Sequence, residues 1–177
     1  TLHFNSTSAQ TLSGVISGAG TLEKSNSGTL TLSGTNTYSG ATTINAGTLL
    51  VSGSGSLGSG SYAGAITNDG TLEFATTANQ TLSGGLSGSG DLVKGGGNQL
   101  TIAGAFSMTG DISLPDGTLE FTRPTATSLP NQLFVKGTGS SPALLNNGAG
   151  LLTIQPGTST NIQVDHGETF TVGGSGD

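Results

Sequence analysis

Chemistry in this chain would have to start from very few side chains. There are two histidines, His3 and His166, ten carboxylates and no cysteine in 177 residues. The densest run is Asp165-His166-Gly167-Glu168. It has neither the paired histidines of a zinc site nor the ligand count of a calcium loop, so it reads as a turn between two strands. His3 alternates with Leu2 and Phe4, which puts it on the outer side of a strand. Polysaccharide cleavage needs two carboxylates close together. Here Glu23, Asp69, Glu73, Asp91, Asp111, Asp116 and Glu120 come singly. Asp69, Asp116 and Asp165 lie at or near glycine and read as turn residues. Glu120 and Arg123 are near enough in sequence to form a surface pair. Serine is abundant, but no Gly-x-Ser-x-Gly elbow joins a usable His and Asp. No catalytic residue, metal site or cofactor is therefore expected.

Charge narrows the partners. The net charge is −6, and only Lys24, Lys94, Arg123 and Lys136 are basic. Nucleic acid and anionic membrane surfaces call for clustered Lys and Arg, so neither is expected as a partner. No apolar run is long enough for a membrane-spanning helix. The absence of Cys excludes disulfides and thiolate metal sites. The chain opens directly on a strand with no signal peptide, as a mature product or an excised segment would.

The elements that must position these residues are short strands. Gly contributes 32 residues and charged residues only 8%. Disorder usually couples high charge with no period, whereas here apolar residues recur in register with Gly. The organising stretch is Thr29 to Val51. It holds Thr29-Leu30-Thr31-Leu32, Ala41-Thr42-Thr43-Ile44 and Thr48-Leu49-Leu50-Val51, separated by Ser-Gly or Ala-Gly. Each run is too short for a helix and rich in residues that fit a pleated surface. Isolated pairs of such strands are unstable, so each coil needs a neighbouring coil to cover it.

The neighbour is another copy of the same pattern. Thr1-Leu2-His3-Phe4 aligns with Thr71-Leu72-Glu73-Phe74, and the match continues at the same offset to Gly47-Thr48-Leu49 and Gly117-Thr118-Leu119. Within a copy, Thr-Leu pairs recur about every 20 residues, the length of one solenoid coil. The expected fold is all-β: one parallel β-solenoid over 1–177, with repeat copies at about 1–70 and 71–121, an irregular excursion at 122–150 and diverged coils at 151–177. Alternation assigns Leu2, Phe4, Leu30, Leu32, Leu49, Val51, Leu72, Phe74, Leu119 and Phe121 to the core. Phe4 and Phe74 are expected on equivalent rungs. Ser61–Ile66 and Thr81–Leu86 each read as one strand.

The stretch from Thr122 to Gly150 holds Pro124, Pro130 and Pro142, so it reads as loops, with one strand near Gln132–Lys136. Excursions from a regular scaffold carry function, so a ligand contact is expected there, at Arg123, Phe134 and Lys136.

The run from Gly28 to Gly60, GTLTLSGTNTYSGATTINAGTLLVSGSGSLGSG, resembles the passenger-associated repeat of bacterial autotransporters. The Gly-x-Leu-x-Leu-x-Gly strand, the Asn-Thr-Tyr-Ser-Gly turn, the Thr-Thr-Ile-Asn-Ala-Gly strand and a final Gly-x-Leu-x-Val strand are all present. Residues 71–121 match more loosely, with Phe106-Ser107-Met108-Thr109-Gly110 in place of the turn, and Thr122 to Asp177 departs from the pattern. The resemblance implies a right-handed parallel β-helix, exported and displayed at the bacterial cell surface or outside the cell, without catalytic residues. It implies a structural or adhesive stalk whose partner is a host or cell-surface glycan or protein. A self-assembling fibre is the alternative, because neither end reads as a cap and coils of separate copies could stack end to end. A polysaccharide-processing enzyme and an ice-binding Thr array are lesser alternatives. The Thr pattern fades where Thr29 becomes Gln99 and Thr35 becomes Ala105.

Overall fold

The computed structural model describes residues 1–122 and, beyond them, the strand backbones at 127–129, 132–135, 143–146, 152–154, 161–164 and 171–174. The first coil holds β1 (Leu2–Asn5) and β2 (Gln10–Leu12), and the second β3 (Leu22–Ser25) and β4 (Thr29–Leu32). The third holds β5 (Thr42–Ile44), β6 (Thr48–Gly53) and β7 (Ser61–Tyr62), and the fourth β8 (Ile66–Asn68), β9 (Thr71–Thr76) and β10 (Gln80–Leu82). The fifth holds β11 (Leu86–Gly88), β12 (Asp91–Lys94) and β13 (Gln99–Ile102), and the sixth β14 (Phe106–Met108), β15 (Ile112–Leu114) and β16 (Thr118–Phe121). Then come β17 (Thr127–Leu129), β18 (Gln132–Val135), β19 (Ala143–Asn146), β20 (Leu152–Ile154), β21 (Asn161–Val164) and β22 (Thr171–Gly174).

Every pairing is parallel and joins one coil to the next, so the strands stack into three long faces. The first face is β1-β3-β5-β8-β11-β14, the second β2-β4-β6-β9-β12-β15-β18-β21, and the third β7-β10-β13-β16-β19-β22. The strands β17 and β20 pair with each other. The chain is a parallel β-solenoid. Partners such as Leu2, Leu22 and Thr42 lie twenty residues apart. Thr42 and Ile66 are further apart because a 3₁₀ turn at Gly58–Gly60 is inserted between β6 and β7.

Alternation along each strand fills the interior. The pattern is buried at every second residue in β4 and β9. Leu30, Leu32, Leu49, Val51, Leu72, Phe74, Leu119 and Phe121 are all fully buried. Each contributes roughly 1.5–3 kcal/mol by leaving water. Leu2 differs from the expectation: it is 40% exposed. Its strand β1 has a described neighbour on one side only, β3, so half of its surface stays uncovered. Phe4 is partly buried, packed against the core from the same coil.

Glycine columns make the edges between the faces. At the edge between the third and first faces, Gly20, Gly40, Gly64, Gly84 and Gly104 stack. A Cβ on Gly40 would lie 2.3 Å from the Gly20 carbonyl oxygen, and one on Gly84 2.3 Å from that of Gly64. Adjacent coils therefore touch backbone to backbone there. These corners also divide the two longer strands expected from sequence. Gly64 separates β7 from β8, and Gly84 separates β10 from β11, so each stretch serves two faces.

The sequence repeat is out of phase with the faces. Phe4 lies on the first face, in β1, while Phe74 lies on the second, in β9, so they do not share a rung as expected. Phe74 stacks instead between Val51 and Lys94. A shift of seventy residues is three coils plus one face, so the copy begins again on the next face. The three faces ask the same of a strand, an apolar inner side and a short polar outer side, and the same motif can build any of them.

Candidate functional site

The outer surface is where the candidate chemistry lies. His3 projects outward from β1 with 61% of its side chain exposed, and its Nδ1 is 3.0 Å from Glu23 Oε2 in the next coil. Glu23 Oε1 accepts from Asn45 Nδ2 at 2.9 Å and from Ser25 Oγ at 3.5 Å. This ladder crosses three coils. The serine hydroxyl serves the carboxylate and not the imidazole, so the arrangement is not that of a nucleophile and its base. His3 is at the surface as alternation expects. Its neighbour is set by coil length, which no comparison at the seventy-residue offset reveals.

Three aspartates, Asp69, Asp91 and Asp116, accept from backbone N–H groups at the turns. Asp69 Oδ1 accepts from the Ser89 N–H and hydroxyl, both at 2.9 Å, and these donors hold its pKa below the ordinary carboxylate value. Asp91 Oδ1 accepts from the Asp111 N–H at 2.9 Å. Burial, and then the Asp91 charge beside it, raises the Asp111 pKa. Glu120 is not at the surface as a pair with Arg123 would have it. It is 8% exposed and accepts from Gln99 Nε2 at 2.5 Å and Thr101 Oγ1 at 3.0 Å. Among the described residues, no three His, Cys, Asp or Glu side chains gather to hold a metal ion. Arg123 and Lys136 lie outside the described residues, as do Asp165, His166 and Glu168. Phe134 lies in β18, opposite Ser113 and Gln163 in the backbone register.

What the sequence missed is a polar cluster inside the solenoid. The Asn-Thr-Tyr-Ser-Gly stretch reads as a turn, yet Asn36 and Tyr38 are buried and stand where the second coil lacks a third strand. Asn36 Oδ1 accepts from the Ile16 N–H at 2.9 Å, and its Nδ2 donates to the carbonyls of Gly34 and Ser56. The side-chain amide thus adds to the backbone pairing among three coils, in which the Asn36 N–H already donates to the Ser56 carbonyl at 2.9 Å. Gln80 also bonds the backbone of Leu57, accepting from its N–H at 2.9 Å and donating to its carbonyl at 3.1 Å. Tyr38 and Tyr62 meet edge to face at 5.4 Å, and the Thr42 hydroxyl bridges their phenols at 2.8 and 2.7 Å. Tyr62 also donates to the Gly40 carbonyl. Burial raises both phenol pKa values, so the cluster stays neutral. In the second copy Phe106 and Met108 take the positions of Asn36 and Tyr38, and Phe106 packs edge to face on Phe121 at 5.3 Å. Thr42→Val keeps the shape and removes the bridge. It should cost about 1–3 kcal/mol of unfolding free energy, read by urea titration, because buried phenols lose a partner. An unchanged midpoint would show that the hydroxyl is idle.

The outer columns are chemically plain. The first face shows His3, Glu23, Thr43, Thr67, Ser87 and Ser107, and the second Thr11, Thr31, Leu50, Glu73, Val93 and Ser113. Thr recurs in short runs, through Thr29, Thr48 and Thr71 on the second face before Asp91 follows and through Thr43 and Thr67 on the first, so a Thr column does not extend through all the described coils of either face.

Two segments of the chain, residues 22–51 and 92–121, match the family described as Passenger-associated-transport-repeat. No curated protein and no solved structure is significantly similar to the chain. The two matched segments are seventy residues apart, so the first starts on the first face with β3 and the second starts on the second face with β12.

Proposed function

We propose, for a chain that carries two copies of the passenger-associated transport repeat of autotransporters, a non-enzymatic role as part of an extracellular stalk that holds adhesive elements away from the cell. One observation carries this reading: both repeats are consumed in building coils. Their inward positions fill the core, and their outward positions are mostly short hydroxyl and amide side chains with isolated carboxylates. Such a surface is solvated without strong charge. The eight stacked strands of the second face span roughly 35 Å at the ordinary inter-strand spacing, so length grows steadily with each added coil. Adhesion, in this reading, belongs to the stretch around Arg123, Phe134 and Lys136, and the glycan or protein partner is met there.

The test uses intact cells producing the full-length protein. A protease that cannot cross membranes should remove the epitope of an antibody against residues 71–121, and a signal that survives on intact cells would sink the surface assignment. Purified chain carrying Arg123→Ser and Lys136→Ser should keep its β-sheet circular dichroism and lose attachment to target cells; undiminished attachment would move adhesion to the regular faces. Release of reducing ends from cell-wall polysaccharide by the purified chain would overturn the non-enzymatic role.

A further inference from the structure

Lys24 and Lys94 lie inside the solenoid, 2% and 1% exposed. An ammonium has three donors and no acceptor, so burial obliges it to find oxygens. Lys24 Nζ donates to the carbonyls of Ser25 at 2.8 Å, Asn26 at 2.7 Å and Ala46 at 3.2 Å. Lys94 Nζ donates to those of Gly95 at 3.3 Å and Gly96 at 2.6 Å; burial lowers its pKa, and the Asp116 charge in the next coil opposes that shift. Both oxygen cages are built from left-handed backbone stacked coil on coil. Asn26 (φ 62°) is followed one coil later by Gly47 (φ 69°), and Gly96 (φ 88°) by Gly117 (φ 78°). Left-handed backbone favours glycine, and the closeness of the cage enforces it. A Cβ on Gly47 would lie 2.4 Å from the Asn26 oxygen and 2.9 Å from Lys24 Nζ; one on Gly117 would lie 2.3 Å from the Gly96 oxygen and 2.8 Å from Lys94 Nζ.

The two cages are one device used twice. Lys24 and Gly47 hold the same places in the matched segment 22–51 as Lys94 and Gly117 hold in 92–121. The first cage follows β3 and sits at the edge between the first and second faces. The second follows β12, at the edge between the second and third. We propose that each buried lysine is a corner clamp: its ammonium is the internal cation that lets a left-handed corner turn its carbonyls into the core against the left-handed corner of the next coil, and the repeat carries the clamp from one edge of the solenoid to the next. The clamp depends on charge and N–H donors together, which separates it from the packing of the lysine stem.

Amide hydrogen exchange on the whole chain tests this, with Lys24→Met, Lys94→Met and Lys24→Ala. Met keeps the stem and loses the ammonium. In K24M, exchange at residues 25–28 and 46–48 should rise about tenfold or more, with residues 95–98 and 116–118 unchanged; K94M should do the reverse. In K24A, n-butylammonium should restore protection at 25–28, and tetramethylammonium, which has no N–H, should not. Wild-type protection at the altered corner would overturn the clamp. So would a rise spread evenly over all coils, no restoration by butylammonium, or restoration by both cations. Failure of both Met variants to fold would overturn it too, by making the lysines a condition of coil formation and not of two corners.

Discussion

Leu72→Asp should unfold the middle of the solenoid, while Glu73→Thr, the next residue of the same strand, should leave it intact. Leu72 is fully buried in a column between Leu49 and Leu92. No cation stands directly above or below it in that column. An aspartate there loses a large apolar contact, leaves a cavity and buries a carboxylate without a partner. The first two losses alone cost about 2–5 kcal/mol in buried leucines, and the third adds to them. Glu73 faces outward from the same strand and is partly exposed, so Thr should shift stability by within about 0.5 kcal/mol. Urea midpoints of the two variants measure the difference. Equal losses would contradict the register of β9. Phe74 would be a poorer probe, because Lys94 is its neighbour in the column below.

The second large effect comes from two adjacent glycines. Gly84→Ala should destabilise the chain by about 1–3 kcal/mol or more, and Gly85→Ala should be neutral or stabilise it by up to about 1 kcal/mol. Neither residue has a positive φ, so backbone preference does not separate them. Space does. A Cβ on Gly84 would stand 2.3 Å from the Gly64 oxygen and 2.6 Å from its carbonyl carbon, atoms that cannot rotate aside. Relief would require the third and fourth coils to part, stretching Gly84 N–H to the Tyr62 carbonyl, now 3.2 Å. A Cβ on Gly85 would meet only the Ala105 oxygen, at 3.9 Å. The equivalent positions in neighbouring coils are already Ala41, Ala65 and Ala105. Thermal denaturation of the pair decides it; a silent Gly84→Ala would mean that the coils are not in contact at this edge.

Much of the fold was legible because its rules are local. A Thr-Leu-Thr-Leu run can alternate in one way only, and that alternation already separates Leu30 and Leu32 from their outward neighbours. The spacing of Thr-Leu pairs carries the coil length, since each coil must return the chain to the same face. Gln132–Lys136 could be read as a strand for the same reason, and β18 covers Gln132–Val135 of it. The candidate site was less legible. His3 could be placed on the surface, but its contact with Glu23 depends on which coil lies beside it, and the most visible sequence match pointed seventy residues away.

An all-β chain of short strands, the inward and outward sides of each and a coil of about twenty residues could be read from the sequence alone. These follow from side-chain period and glycine spacing, both readable along the chain. The tertiary structure alone decided the face on which each strand lies, because three faces with the same demands cannot be told apart by composition. It also decided what the interior holds besides hydrocarbon. Lys24, Lys94, Asn36 and Gln80 are surface types by residue preference. They are buried here because coil stacking leaves carbonyls and N–H groups facing inward at particular corners, and an unpaired polar group there costs more than burying a side chain that satisfies it.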